Sequence, residues 1–443
     1  MTRPNGVNTN YNYDSVSHLL SVLHQTGSTA LDGASYNYDY AGNRTSKTNY
    51  LNGTTWNYGY DAIYELTQVA QGGSTKESLS YDAVGNRLSS SHMPSYSYNS
   101  SNELTATSSG IYTYDANGNT LSDAQGRSFT WDVENRLTQA VVPGTNGGTT
   151  TFKYDPFGRR IYKSSPSFTG IFAYDGDDLI ETANASGTEI ASYTQGINID
   201  EHLSEFRSSA ASYYEQDGLG SVTSLSNSAG VLANTYTYDS LGNVTNFTGT
   251  LKNPFQYTGR EFDQETGLYY NRARYYNSAI GRFISGDPLG FRGGNPNLYA
   301  YVGNNPINWI DPFGLTNCVV TSTMGTVCSD WNINWNWMPT QGPQPPPLPS
   351  DLQPPPQPPP SPPASCSKNK DCHWVNEASK HLVVTYFEHK AIHYVWELLP
   401  GAAGEAASGW GWVLVPITVT ELLIEENEVY QDYKKCVLEE GAF

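Results

Sequence analysis

The sequence predicts a mostly β protein: hairpins repeated along the chain, then a proline-rich linker and a small, mainly α module at the carboxy end. Three observations predict it. The composition holds 33 Tyr and 41 Gly with only 15% charged residues; Tyr favours strands, while Gly and Asn favour tight turns. A short unit recurs through the first two thirds of the chain. The recurrence then stops abruptly after NWIDPFGL, residues 308–315.

The unit reads YNYDYAGNRTS from Tyr36, LSYDAVGNRLS from Leu79, YTYDANGNTLS from Tyr112, FTWDVENRLTQ from Phe129, FKYDPFGRRIY from Phe152 and YTYDSLGNVTN from Tyr236. Weaker copies begin at Tyr11, Tyr58, Tyr96 and Phe172. Aromatic-x-aromatic has period two, which sets both rings on one face of a strand. Asp ends that strand, and x-x-Gly-Asn supplies a turn with a residue that accepts positive φ. The tail starts the next strand. One unit is therefore one hairpin, and because a lone hairpin is marginal in water, neighbours must pair edge to edge. These Tyr and Asp residues read as structural.

Charge and cysteine usage narrow the function. The net charge of −19 and pI of about 4.7 disfavour nucleic acid as a partner of the repeat region. The amino terminus, MTRPNGVNTNYNYDS, lacks the apolar run of a general secretion signal. The longest apolar candidate for a membrane span, 410–424, contains Pro416 and Glu421 and is too short. All 5 Cys lie past residue 317, so the repeats do not depend on disulfides, and the odd number leaves at least one thiol unpaired within the chain.

From Pro254 to Leu315 the chain reads PFQYTGREFDQETGLYYNRARYYNSAIGRFISGDPLGFRGGNPNLYAYVGNNPINWIDPFGL. This stretch resembles the Rhs-associated core, and the repeats resemble the YD repeats of bacterial Rhs proteins and of toxin-complex C components. The resemblance implies a fold in which the repeats wind into a spiralled sheet, or partial shell. It implies four segments: a YD-repeat sheet over 1–253, the core over 254–315, a Trp- then Pro-rich linker over 316–365, and a variable passenger over 366–443. Family shells commonly hold more repeats, so the chain reads as a short or truncated member.

The resemblance also implies an aspartyl-type self-cleavage directly after the Leu of the closing motif. Carried over, the scissile bond is Leu315–Thr316, and the catalytic carboxylates are Asp287 and Asp311, each followed by Pro. The chemistry is sound on its own terms: two carboxylates held close share a proton, so that one activates water while the other acts as acid. A neighbouring cation would keep one of them ionised, with Arg282 and Arg274 as candidates. The alternative is that DPxG is only a turn, as Asp155-Pro156-Phe157-Gly158 is inside a repeat.

Beyond Thr316 the pattern changes. Residues 339–365 hold more than half of the 26 prolines, which favours an extended polyproline spacer. Residues 375–399 read as an amphipathic helix. His389 and His393 share a face of it, but Lys390 stands where a metalloprotease motif needs Glu, and no metal or cofactor is assigned. The module has twice as many acids as lysines and no Arg, against a nucleic-acid substrate. The expected partners are the passenger itself, an immunity protein and a secretion apparatus, with a secreted or cell-surface location by a route without a signal peptide. Two rival readings stay open: a surface-binding protein whose exposed Tyr, Asn and Asp contact glycans, and an inactive gene fragment.

Overall fold

A computed structural model describes residues 1–145, 147–321 and 325–328. The expectations for the proline-rich linker, the helix over 375–399 and the module over 366–443 lie outside the described residues. Those described are overwhelmingly β. Eight strands, from Val7–Tyr13 to Arg87–Ser90, form one sheet, three more (Tyr96–Tyr98 to Gly110–Ile111) a second, and fourteen, from Thr113–Tyr114 to Val244–Thr248, a third. Neighbouring strands follow chain order and pair antiparallel. Among the described residues no helix is long and apolar enough to cross a membrane.

The repeat explains this order. In the copy at Asp39, one carboxylate oxygen accepts the N–H groups of Ala41 and Asn43 at 2.9 and 2.8 Å, and the other accepts the Asn43 side-chain amide at 3.1 Å. Gly42 supplies the positive φ of 86° that the turn requires. Asp82, Asp115 and Asp239 repeat the arrangement. Where Arg replaces Asn, as in Arg136 and Arg159, its Nε takes over the side-chain bond at 2.7 Å.

The two aromatics divide their work. The first, such as Tyr36, Phe152 or Tyr236, is buried. The second is half-buried and donates its hydroxyl to a backbone carbonyl of the preceding unit: Tyr38 to Leu19, Tyr60 to Arg44, Tyr81 to Leu66, Tyr154 to Leu137 and Tyr238 to Val222, at 2.6 to 2.9 Å. Each unit is thereby fastened to the one before. The structure also holds units that the sequence pattern misses. Gln195 fills the tyrosine position and donates to the Leu179 carbonyl at 2.8 Å, and Asp217 caps the same turn with Gln216 before it. Conversely, the copy at Phe172 turns tightly, pairing Asp175 directly with Asp178.

The winding brings the first sheet against the late strands of the third. Lys47 meets Asp217 at 2.6 Å, and the buried Asp32 carboxylate accepts the hydroxyls of Thr223 and Ser224, both at 2.6 Å. Residues 254–310 then cross the turns of many units. Arg87 donates to Ile280, Tyr299 to Gly118, Asn304 to Gly85, and Arg44 to Ile307. A small sheet, Glu261–Asp263 to Arg282–Phe283, lies inside this segment. Its Leu268, Tyr270 and Tyr275 complete a core with Phe129, Leu137 and Phe152. Fully buried Arg160 ties the two parts by ion pairs to Glu261 at 2.7 Å and Asp263 at 2.5 Å.

The chain does not leave the fold at Leu315. Where the sequence reads as the start of a linker, Cys318–Thr321 and Gly325–Cys328 pair as a hairpin closed by a Cys318–Cys328 disulfide. A pair of cysteines ten residues apart carries no connectivity in sequence alone, which is why this element was missed.

Candidate functional site

The closing motif is stitched, residue by residue, onto the hairpin turn of 271–274. The Asn271 side-chain amide donates to the Asp311 carbonyl at 2.7 Å, Arg272 Nη1 to Pro312 at 2.5 Å, the Ala273 backbone N–H to Phe313 at 3.1 Å, and Arg274 Nε to Gly314 at 2.5 Å. Arg272 is itself held by the Asp200 carboxylate at 2.9 Å. Four successive carbonyls are thus fixed before the chain reaches Leu315. Gly314 has φ +67°, and a Cβ there would stand 2.3 Å from the Asn271 carbonyl oxygen, so only Gly fits.

This places the predicted residues as follows. Arg274 Nη2 touches Asp287 Oδ2 at 2.9 Å and Asp311 Oδ2 at 3.3 Å, so a cation joins the two carboxylates. The guanidinium also lies 3.7 Å from the Phe283 ring centre. Arg282 does not take that role. Its Nη2 donates to the Asn102 carbonyl at 2.6 Å, and its guanidinium lies over Tyr98 and Tyr299. Arg282 and Arg274 sit on paired strands but aim at different neighbours, a distinction that sequence spacing does not carry.

Around the candidate scissile bond, Asp311 Oδ1 accepts the N–H of Leu315 at 2.9 Å and that of Thr316 at 3.1 Å. The nitrogen of the Leu315–Thr316 peptide is therefore in direct contact with one carboxylate. Its carbonyl oxygen lies on the side of the other. Asp287 Oδ2 and the Leu315 oxygen stand 2.7 and 3.1 Å from the point a Cβ on Gly293 would occupy. The second carboxylate and the scissile carbonyl thus both lie against Gly293, in space that a side chain would fill.

The two acids differ in burial. Burial pushes the Asp311 carboxyl above its ordinary value, against the opposing pull of Arg274 and of the backbone amides of Leu315, Thr316 and Gly314. Burial also lowers Arg274, while Asp311 and Asp287 raise it. Asp311 is 2% exposed, whereas Asp287 lies at the margin of the site with its side chain 9% exposed. Asn271, Arg272, Asp200 and Gly293 are residues of this arrangement that sequence reasoning missed. The only hint in the sequence is that Arg272 opens the RARYY run and Asn271 stands directly before it.

The chain resembles known proteins over the same region. The Teneurin YD-shell family profile matches residues 51–307. The tRNA3(Ser)-specific nuclease WapA of Bacillus spizizenii is 34% identical over 312 residues, covering 68% of this chain and 12% of that protein. The double-stranded DNA deaminase toxin A of Burkholderia cenocepacia is 30% identical over 320 residues, covering 63% of this chain and 22% of its own length. The chain therefore spans about an eighth to a fifth of the length of these relatives. Among solved structures, a Photorhabdus luminescens Tc holotoxin pore superposes with TM-score 0.61 at 21% identity, covering 72% of this chain and 18% of that one. A crystal structure of TcdB2-TccC3 gives TM-score 0.59 at 22% identity, covering 71% of this chain and 19% of that one. The profile spans more than half of the chain, and the chain belongs to the Teneurin YD-shell family, as a shell protein of the Rhs YD-repeat type.

Proposed function

We propose that this chain is a carrier shell that cuts itself after Leu315 and so releases residues 316–443 as the passenger, in competition between bacteria. The observation that carries the reading is the Leu315–Thr316 peptide itself: its nitrogen is hydrogen-bonded to Asp311, and its carbonyl shares the Gly293 gap with Asp287. The relatives support the carrier part. One is named a tRNA nuclease and another a DNA deaminase toxin, yet both match this chain at 30% identity or more. Different named activities joined to one shell are what exchangeable passengers predict. An immunity protein and a secretion apparatus are the partners such a carrier needs.

In the cutting step Asp287, paired with Arg274 at 2.9 Å, takes a proton from water as the oxygen attacks the Leu315 carbonyl carbon. Asp311, whose burial favours the protonated form, gives its proton to the Thr316 nitrogen as the C–N bond breaks. The products are a Leu315 carboxylate and a Thr316 ammonium, the proton of the new carboxylic acid passing to the amine. The cut is made once, and it leaves Asp311 as the carboxylate.

Asp287→Asn and Asp311→Asn test this in the purified full chain on a denaturing gel. Each is expected to leave the chain whole, while Arg282→Ala is expected to be cut like the unaltered protein. Cutting of either Asn variant at the unaltered rate would overturn the mechanism.

A further inference from the structure

The residues beyond the candidate cut stay bound to those before it. Ile310 donates its N–H to the Cys318 carbonyl at 2.9 Å, and Cys318 donates back at 2.7 Å. The Leu315–Thr316 bond thus sits in a loop closed by this pair of hydrogen bonds. Cys318 is fully buried in a cluster with Leu219 and Ile310, and Cys328 packs at its edge. The pair Cys318↔Cys328 is the outermost rung of the hairpin and is also its disulfide. Thr316 is 4% exposed, with its nitrogen already 3.1 Å from Asp311. Hydrolysis converts that nitrogen to an α-ammonium, whose pKa of about 8 leaves it charged at neutral pH and facing a carboxylate.

We propose that Leu219, Ile310 and Asp311 form a docking surface for the severed passenger's own first residues, 316–321 with 325–328, and that the Cys318–Cys328 disulfide holds those residues in the shape that docks. The inference rests on the self-cleavage reading. Cutting then changes a covalent link into a held complex, and release requires opening the clip. Two four-residue strands are marginal as an isolated hairpin, so the clip decides whether the shape persists. A dithiol reductant opens it by attack at the sulfur of the less buried Cys328, expelling the Cys318 thiolate. Its second thiol then resolves the mixed disulfide, which leaves two protein thiols and the oxidised reductant.

The experiment uses the full chain carrying Cys366→Ser, Cys372→Ser and Cys436→Ser, so that only the clip responds. Denaturing mass analysis reports cutting, and native mass analysis reports whether the two pieces remain together, with and without dithiothreitol. Joint pieces that separate at least tenfold faster after reduction support the proposal. Pieces that separate equally fast in both states, or stay together equally after reduction, overturn it. A chain that is never cut refutes the self-cleavage reading alone; docking is then read by hydrogen exchange at the Ile310 and Cys318 amides of the uncut chain. Protection lost on reduction supports the docking surface, and unchanged protection overturns it.

Discussion

One nitrogen of Arg274 touches two carboxylates, and around that atom the chemistry of the proposed site is set. A Lys at this position is a single point charge on a flexible stem. It lacks the fork that binds Asp287, Asp311 and the Gly314 carbonyl at once. Arg274→Lys is expected to slow cutting by at least tenfold while the chain stays folded, measured as the rate at which a fragment appears. Gly293→Ala is a second test. Its methyl would stand 2.7 Å from Asp287 Oδ2, so the carboxylate must move, and a similar loss is expected with stability unchanged. A third residue reports on pH. Burial pushes the Glu215 carboxyl up to about 8, opposed by Arg3 and a hydrogen bond from Ser226. An acid raised in the folded state contributes stability below its ordinary value near 4.5, and that contribution is lost as pH rises through about 8. Denaturation midpoints should therefore decline over this window, and Glu215→Gln should flatten the decline. An equally steep decline in the variant would refute the assignment. Of these residues, Asp287, Asp311 and Arg274 were legible because motif residues keep their place in a family core. Gly293 and Glu215 were not, because what matters is the space beside one and the burial of the other.

At the scale of the element, the repeat was legible because each of its parts has its own local cause: aromatic spacing for the strand face, Asp for the cap, Gly for positive φ. The hydroxyl rungs between units were not, since a Tyr can be read as apolar without knowing which carbonyl it reaches. Tyr238→Phe removes the bond to Val222 and should cost about 1 kcal/mol in chemical denaturation. Tyr40→Phe, on a fully exposed ring, should cost nothing measurable. The units at Gln195 and Gln216 escaped the pattern because an amide can replace the hydroxyl as donor, from Gln195 to the Leu179 carbonyl and from Gln216 to that of Asp200. The 271–274 ladder was hidden for a related reason: two of its four rungs use backbone or amide groups, which carry no signature in sequence.

In the described part of the molecule as a whole, the winding is locked by buried charge as well as by aromatic packing. Arg160 reads in sequence as the start of a strand, yet it is fully buried and joins the repeats to the core segment through Glu261 and Asp263. Arg160→Met would leave both acids buried with less compensation, and a loss of about 3–5 kcal/mol is expected. Limited proteolysis should then cut first within 254–315, and an unchanged digestion pattern would contradict this linkage. Such contacts join residues about a hundred positions apart, beyond the reach of any local pattern. The same long-range assembly brings Asp287, Asp311 and the Leu315–Thr316 bond together, which makes the cut the central claim. Its most direct test is the intact mass of the freshly purified unaltered chain at neutral pH. Self-cleavage gives two masses, one of them that of residues 316–443 beginning at Thr316; a single mass for the whole chain would show that the bond stays intact.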